Sequence, residues 1–177
     1  AYGGLNVITF QRNDDVDVTA LGLNDQGMSA FSSHIKLYYL GNQRSASSIL
    51  VEQNNNNALA DKQAALQTMV SMVPAFAQSL TDGQFTFAGK LLNDNWSLKQ
   101  SLASGISNPM ISQAYQAGIS AGAYGGKLLG AGGGGFMLFL ASSDKHKALD
   151  AALSNLRPFP VDLTSEGSTV IHQDETT

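Results

Sequence analysis

Six consecutive residues, Gly130-Ala131-Gly132-Gly133-Gly134-Gly135, carry the strongest chemical signal in this sequence. Glycine is needed where the backbone takes a positive φ or approaches another group closely, and successive exposed N–H groups form a concave nest for an anion such as phosphate. A flexible linker would be flanked by Ser, Pro and charge, whereas this run joins KLL to FMLFL, two segments that want burial. Gly130, Gly132 and Gly135 formally satisfy G-x-G-x-x-G, yet the dinucleotide fingerprint requires a helix after the loop, and an apolar strand pattern follows here. A protein-kinase glycine loop would be followed by V-A-I-K, H-R-D and D-F-G, none of which occurs. Gly89-Lys90 and Gly126-Lys127 lack the upstream glycine and the following Ser/Thr of a Walker A loop. A phosphate-proximal loop of another kind is what these residues predict.

Gly118-Ile119-Ser120-Ala121-Gly122 matches G-x-S-x-G, with Asp162 and His172 downstream in hydrolase order. Ser120 closes a helical pattern instead of a strand, so small residues that let a helix pack closely are the better reading. His34, His146 and His172 have no ligand-like spacing with carboxylates, and no metal ligand is predicted. Asp14, Asp15 and Asp17 read as a solvated hairpin tip. Arg44-Ser45-Ala46-Ser47-Ser48 places a guanidinium and several hydroxyls at a strand-to-helix junction, which suits either a bound phosphate or sugar or a simple capping cluster.

The elements that must position these groups follow from periodicity. Leu5 to Phe10 and Val16 to Leu21 are β-branched runs separated by QRNDD, which predicts a hairpin. His34 to Leu40 alternates as a strand and stops at Gly41-Asn42. From Ser45 the spacing turns helical as far as Leu80, interrupted by Asn54 to Asn57, with a kink or restart expected at Pro74. Further helices are expected over about 84–102, from the Asn108-Pro109 cap to Gly122, and over 144–156. Phe136 to Ala141, Val161 to Leu163 and Ser168 to His172 read as strands. Strands, then a helical block, then strands again suit an α+β domain whose antiparallel sheet is covered on one face by helices.

Composition narrows the function classes. Lys and Arg number 10 against 14 Asp and Glu, a formal charge of −4, and the cations are scattered, so no basic face for nucleic acid is expected. At 43% hydrophobic the 177 residues can bury one ordinary core. Cysteine is absent, which removes disulfide scaffolds, zinc–thiolate sites and a cysteine nucleophile. Neither a signal-peptide pattern at AYGGLNVITF nor an apolar run of 18 residues is present, so a soluble, cytoplasmic protein without a membrane partner is expected.

The segment from Gly125 through the glycine run into Phe136-Met137-Leu138-Phe139 resembles the third motif of the GHMP small-molecule kinases. Within them the chain is most similar to the D-glycero-D-manno-heptose 7-phosphate kinase branch, through Ala1-Tyr2-Gly3-Gly4-Leu5-Asn6, Gly41 to Ser47, Gly89 to Leu92, Trp96 to Lys99 and Ser104 to Pro109. The resemblance implies the ferredoxin-like C-terminal domain of such a kinase over 1–177, with 1–40 the end of the N-terminal or central region. Family members also carry an N-terminal domain with a second ATP loop and a D-Q-Y-type aspartate, and neither motif occurs in this chain. Catalytic and metal-binding residues are therefore expected upstream of Ala1, and the 177 residues alone are expected to be inactive. The intact enzyme would transfer the γ-phosphoryl group of ATP, with Mg²⁺, to the anomeric hydroxyl of a heptose 7-phosphate-like sugar. Gly130 to Gly135 would border the transferred phosphate, Tyr2, Gly3 and Gly4 the sugar, and Arg44, Ser45 and Ser47 the sugar's distal phosphate, the last on the strength of charge. Sugar phosphate, ATP, the missing N-terminal domain and a second copy of the chain are the expected partners. A stand-alone, non-catalytic sugar or nucleotide binding module is the alternative.

Overall fold

The computed structural model describes residues 2–41, 46–163, 167–169 and 171. Strands β1 (Asn6–Phe10) and β2 (Val16–Ala20) pair antiparallel as the expected hairpin. Side chains set its turn: Asn13 Oδ1 accepts from the Asp15 amide at 3.3 Å, and Asp14 takes φ +68°, a left-handed conformation that Asp tolerates. Helix α1 (Asp25–Ser32) follows, and its Asn24 cap accepts from the Gly27 amide at 2.8 Å. The sequence assigns no element here because Gly27 and Ser29 dilute the helical pattern. Burial of Phe31 supplies what periodicity lacks.

A second sheet joins β3 (Ile35–Gly41), β4 (Gly125–Leu128), β5 (Gly135–Leu140) and β6 (Arg157–Phe159) in the order β4-β5-β3-β6, every pair antiparallel. Tyr38 stands opposite Met137, and Lys36 opposite Phe139, so these four share a face. Helices α5 (Pro109–Ser120) and α6 (His146–Ala152) cover it. The Phe139 ring stacks 6.3 Å from Tyr115, and a Cβ on Gly118 would meet that ring at 2.3 Å. Close packing is thus the role of the G-x-S-x-G residues, and Ser120 is simply the exposed last residue of α5. The opposite face presents Leu37, Tyr39, Phe136 and Leu138, all half-buried.

Tyr38, whose side chain is almost wholly buried, donates from its hydroxyl to Asp150 Oδ1 at 2.7 Å, and Lys36 pairs with the same carboxylate at 2.7 Å. Partial burial works against the Asp150 charge, but the hydrogen bonds from Lys36 and Tyr38 outweigh it and hold the carboxyl below its ordinary range. Its stabilising effect is present above the unfolded carboxyl value and is lost as pH falls through the lower folded one. Asp150→Ala is expected to cost about 1–3 kcal/mol, since a buried hydroxyl loses its acceptor. Chemical denaturation checks this, and an unchanged midpoint would show that α6 is held by packing alone.

Three helices lie between β3 and α5: α2 (Ala46–Asn56), α3 (Ala60–Thr81) and α4 (Phe85–Gln100). No restart occurs at Pro74, which lies inside α3. Proline deprives the Val70 carbonyl of its donor, and Val70 is on an exposed surface where water can take its place. The Asn108-Pro109 start of α5 forms as expected, with Asn108 Oδ1 accepting from the Ile111 amide at 3.0 Å.

Two expectations near the C-terminus are corrected. The helix expected over 144–156 is a 3-10 turn at Ser143–Lys145 followed by the short α6, which ends where Leu153 leaves helical geometry and is buried. Val161 to Leu163, Ser168 and Thr169 are not strands, and His172 lies outside the described residues. The pairing strand is β6, whose Pro158 an edge position tolerates. Phe159 fixes it there by packing edge-on to Tyr39 and Phe136 at 6.1 and 5.1 Å. Among the described residues no helix is long and apolar enough to cross a membrane.

Candidate functional site

The glycine run links β4 to β5 as a hairpin loop, closed at its base by the Leu129 amide donating to the Phe136 carbonyl at 2.8 Å. Its inner side rests on the turn between α4 and α5. There the Gly133 amide donates to the Ile106 carbonyl at 3.0 Å, and a Cβ on Gly132, at φ +118°, would lie 2.7 Å from Ile106 Cα. Ala131 is half-buried, whereas Gly130 is exposed and a Cβ there would meet nothing within 4 Å. One end of the loop is seated on backbone and the other faces outward.

Two lysines stand at that outward end. Lys99, in the last turn of α4, donates from Nζ to the Gly130 carbonyl. Lys127 of β4 donates from Nζ to Asn95 Oδ1 at 2.6 Å, and Asn95 precedes Lys99 by one turn on the same face of α4. Burial, and then the positive charge of Lys127, push the Lys99 ammonium down to about 8. Burial also lowers Lys127. Among the described residues neither lysine has a carboxylate partner. The corner therefore offers an anion two cations beside a glycine loop.

The spacing of α4 from β4 is fixed by backbone contact. A Cβ on Gly125 would lie 1.8 Å from the Gly89 carbonyl oxygen, and one on Gly89 would lie 2.4 Å from Tyr124 Cβ. Only glycine at both positions lets the two elements approach this closely.

The other expected site residues are placed as follows. Gly41, at the end of β3, pairs with Gly135 at the end of the glycine run. Arg44 and Ser45 follow shortly after it and lie outside the described residues, while Ser47 is exposed in the first turn of α2. Tyr2 is exposed, and the Gly3 carbonyl accepts from Asn6 Nδ2 at 2.9 Å. Gly4 lines a groove with Leu23, Met28 and Asp162 that does not include the glycine loop. Their sequence neighbours Leu5 and Leu129 line one 490 Å³ cavity together with Asn95 and Lys127. Lys99 and Lys127 carry no role in the sequence reading. A usable signal was present, since Asn95, Trp96, Leu102 and Ala103 leave Lys99 without an acidic residue at either helical neighbour spacing.

Among the described residues no three His, Asp or Glu side chains gather as a metal site. A divalent cation does not fit beside two ammonium groups, whereas phosphate oxygens do.

Fold and loop together define an α+β domain with an antiparallel four-stranded sheet and a glycine hairpin seated on a helix junction. Residues 72–158 match the family model described as GHMP kinases C terminal. The chain is 28% identical over 170 residues to a D-glycero-alpha-D-manno-heptose 7-phosphate kinase of Campylobacter jejuni, covering 94% of this chain and 50% of that protein. It thus spans about half the length of the curated relative it matches. Its fold is similar to that of L. major mevalonate kinase solved with R-mevalonate, with a TM-score of 0.72 at 21% identity, covering 87% of this chain and 45% of that one. It is also similar in fold to a D-glycero-D-manno-heptose 1-phosphate kinase of Bacteroides thetaiotaomicron, with a TM-score of 0.61 at 19% identity over 94% of this chain and 44% of that one.

Proposed function

We propose that the chain is the C-terminal portion of an ATP-dependent sugar-phosphate kinase that phosphorylates the anomeric hydroxyl of a heptose 7-phosphate-like sugar. The observation that carries this reading is the glycine loop, seated on the Ile106 turn and flanked by two cations, in a chain similar along 94% of its length to a heptose 7-phosphate kinase. Phosphoryl transfer is catalysed chiefly by positioning and by stabilising charge on the phosphoryl oxygens, and a rigid loop with adjacent ammonium groups supplies both. ATP is the phosphoryl donor in this reading, and Mg²⁺ accompanies its phosphates on ligands from the N-terminal portion. Gly130 to Gly135 border the transferred group, Tyr2, Gly3 and Gly4 the sugar, and Arg44, Ser45 and Ser47 the phosphate the sugar already carries. Residues 1–40 are assigned to the end of the preceding region.

The test begins with the reading frame upstream of Ala1, which is expected to encode the second ATP loop and the catalytic aspartate. Transfer to heptose 7-phosphate is then measured for the 177 residues alone and for the longer protein. Turnover by the longer protein alone supports the reading; robust turnover by this chain refutes the division of labour. A frame without those motifs would favour the non-catalytic binding module.

A further inference from the structure

We propose that Lys99 and Lys127 form a phosphate-binding subsite at the outward end of the glycine loop, completed by a phosphate group of a small-molecule substrate. The proposal deepens the kinase reading and rests on it for the choice of phosphate among anions. Lys99 reaches across from α4 to the Gly130 carbonyl, and Lys127 reaches from β4 to Asn95 one helical turn before Lys99, near enough for its charge to act on the Lys99 ammonium. Each has three N–H donors and gives one to the protein.

A purely structural latch between α4 and the loop would need only a neutral donor on a neutral carbonyl. Two half-buried like charges with no carboxylate partner among the described residues are a costly way to build one, since burial and mutual repulsion both disfavour the ammonium forms. A dianion reverses both effects. Phosphate in particular presents tetrahedral oxygens that can accept from two ammonium groups at once and form charge-assisted hydrogen bonds. The phosphate has two sources in the proposed reaction, the sugar and the nucleotide, and the chemistry of the subsite is common to them.

The experiment uses the 177-residue chain and inorganic phosphate, with thermal unfolding read against a chloride control of equal ionic strength. A ligand that binds the native state raises the midpoint as its concentration rises. Lys99→Met and Lys127→Met keep the aliphatic stems and remove the charges. Each is expected to match or exceed the wild-type midpoint without phosphate and to weaken phosphate binding about tenfold or more. Lys99→Arg keeps the charge and should retain most of the response. Full phosphate protection of both Met variants, or none of the wild type, overturns the proposal. So does a phosphate-independent loss of stability in the Met variants, which is the signature of a latch. Heptose 7-phosphate and a non-hydrolysable ATP analogue identify the source by which of them protects the wild type and not the Met variants. The readout is binding without turnover, so its failure is separate from a failure of kinase activity in the longer protein.

Discussion

Gly125→Ala is expected to lower stability by more than about 3 kcal/mol, in the range of severe core disruptions. The added Cβ would lie 1.8 Å from the Gly89 carbonyl oxygen and 2.5 Å from its carbon, and neither belongs to a side chain that can swing away. Relief requires α4 to move off β4, which opens the junction where Ala88, Leu92 and Trp96 are buried. A domain of this size shifts its melting midpoint by roughly 2–4 °C per kcal/mol, so a fall of about 6–12 °C is the expected reading. Gly89→Ala should behave alike, through its clash with Tyr124. Near-wild-type midpoints for both variants would mean that the two elements are free to separate, contrary to the contact described.

Gly132→Val is expected to unseat the glycine loop, with a stability loss of about 2–4 kcal/mol from strain and overpacking together. Two costs coincide there: φ +118° is a conformation side chains rarely adopt, and the Cβ would lie 2.7 Å from Ile106 Cα and 3.1 Å from the Ile106 carbonyl oxygen. Gly130 separates the two, because at φ +76° its Cβ would meet nothing within 4 Å. Gly130→Ala therefore carries the conformational cost alone, about 1 kcal/mol. Denaturation of both variants reads the difference directly. Equal losses would show that backbone conformation, not contact with the Ile106 turn, dictates glycine in the run.

Much of the positioning frame was legible in the residues. Asn13-Asp14 marks a turn because Asp tolerates the φ +68° found there, and Asn108-Pro109 marks a helix start because the side-chain acceptor and the missing N–H both suit that place. Alternation along His34 to Leu40 and the apolar run after the glycines define the central strand pair correctly. What escaped the sequence depends on partners. β6 contains a proline and reads poorly as a strand, but Tyr38 and Tyr39 supply its pairing and Phe159 its packing. Pro74 breaks a helix by local rules, yet exposure at Val70 lets α3 continue. In the site, the glycine run announces itself locally. Lys99 and Lys127 are 28 residues apart in sequence and become a pair only because α4 lies on β4.

That contact also decides how the lysine pair meets a ligand. Gly89 and Lys99 lie on one unbroken helix, about 15 Å apart at 1.5 Å per residue, and Gly125 and Lys127 lie two residues apart on one strand. Docking the two glycines therefore sets the separation of the two ammonium groups before any anion arrives. Assembly entropy is spent when the chain folds, and little is left to lose when a phosphate enters. A substitution at Gly89 mild enough to spare the fold would loosen the grip on phosphate from nearly three helical turns away, without touching a single donor.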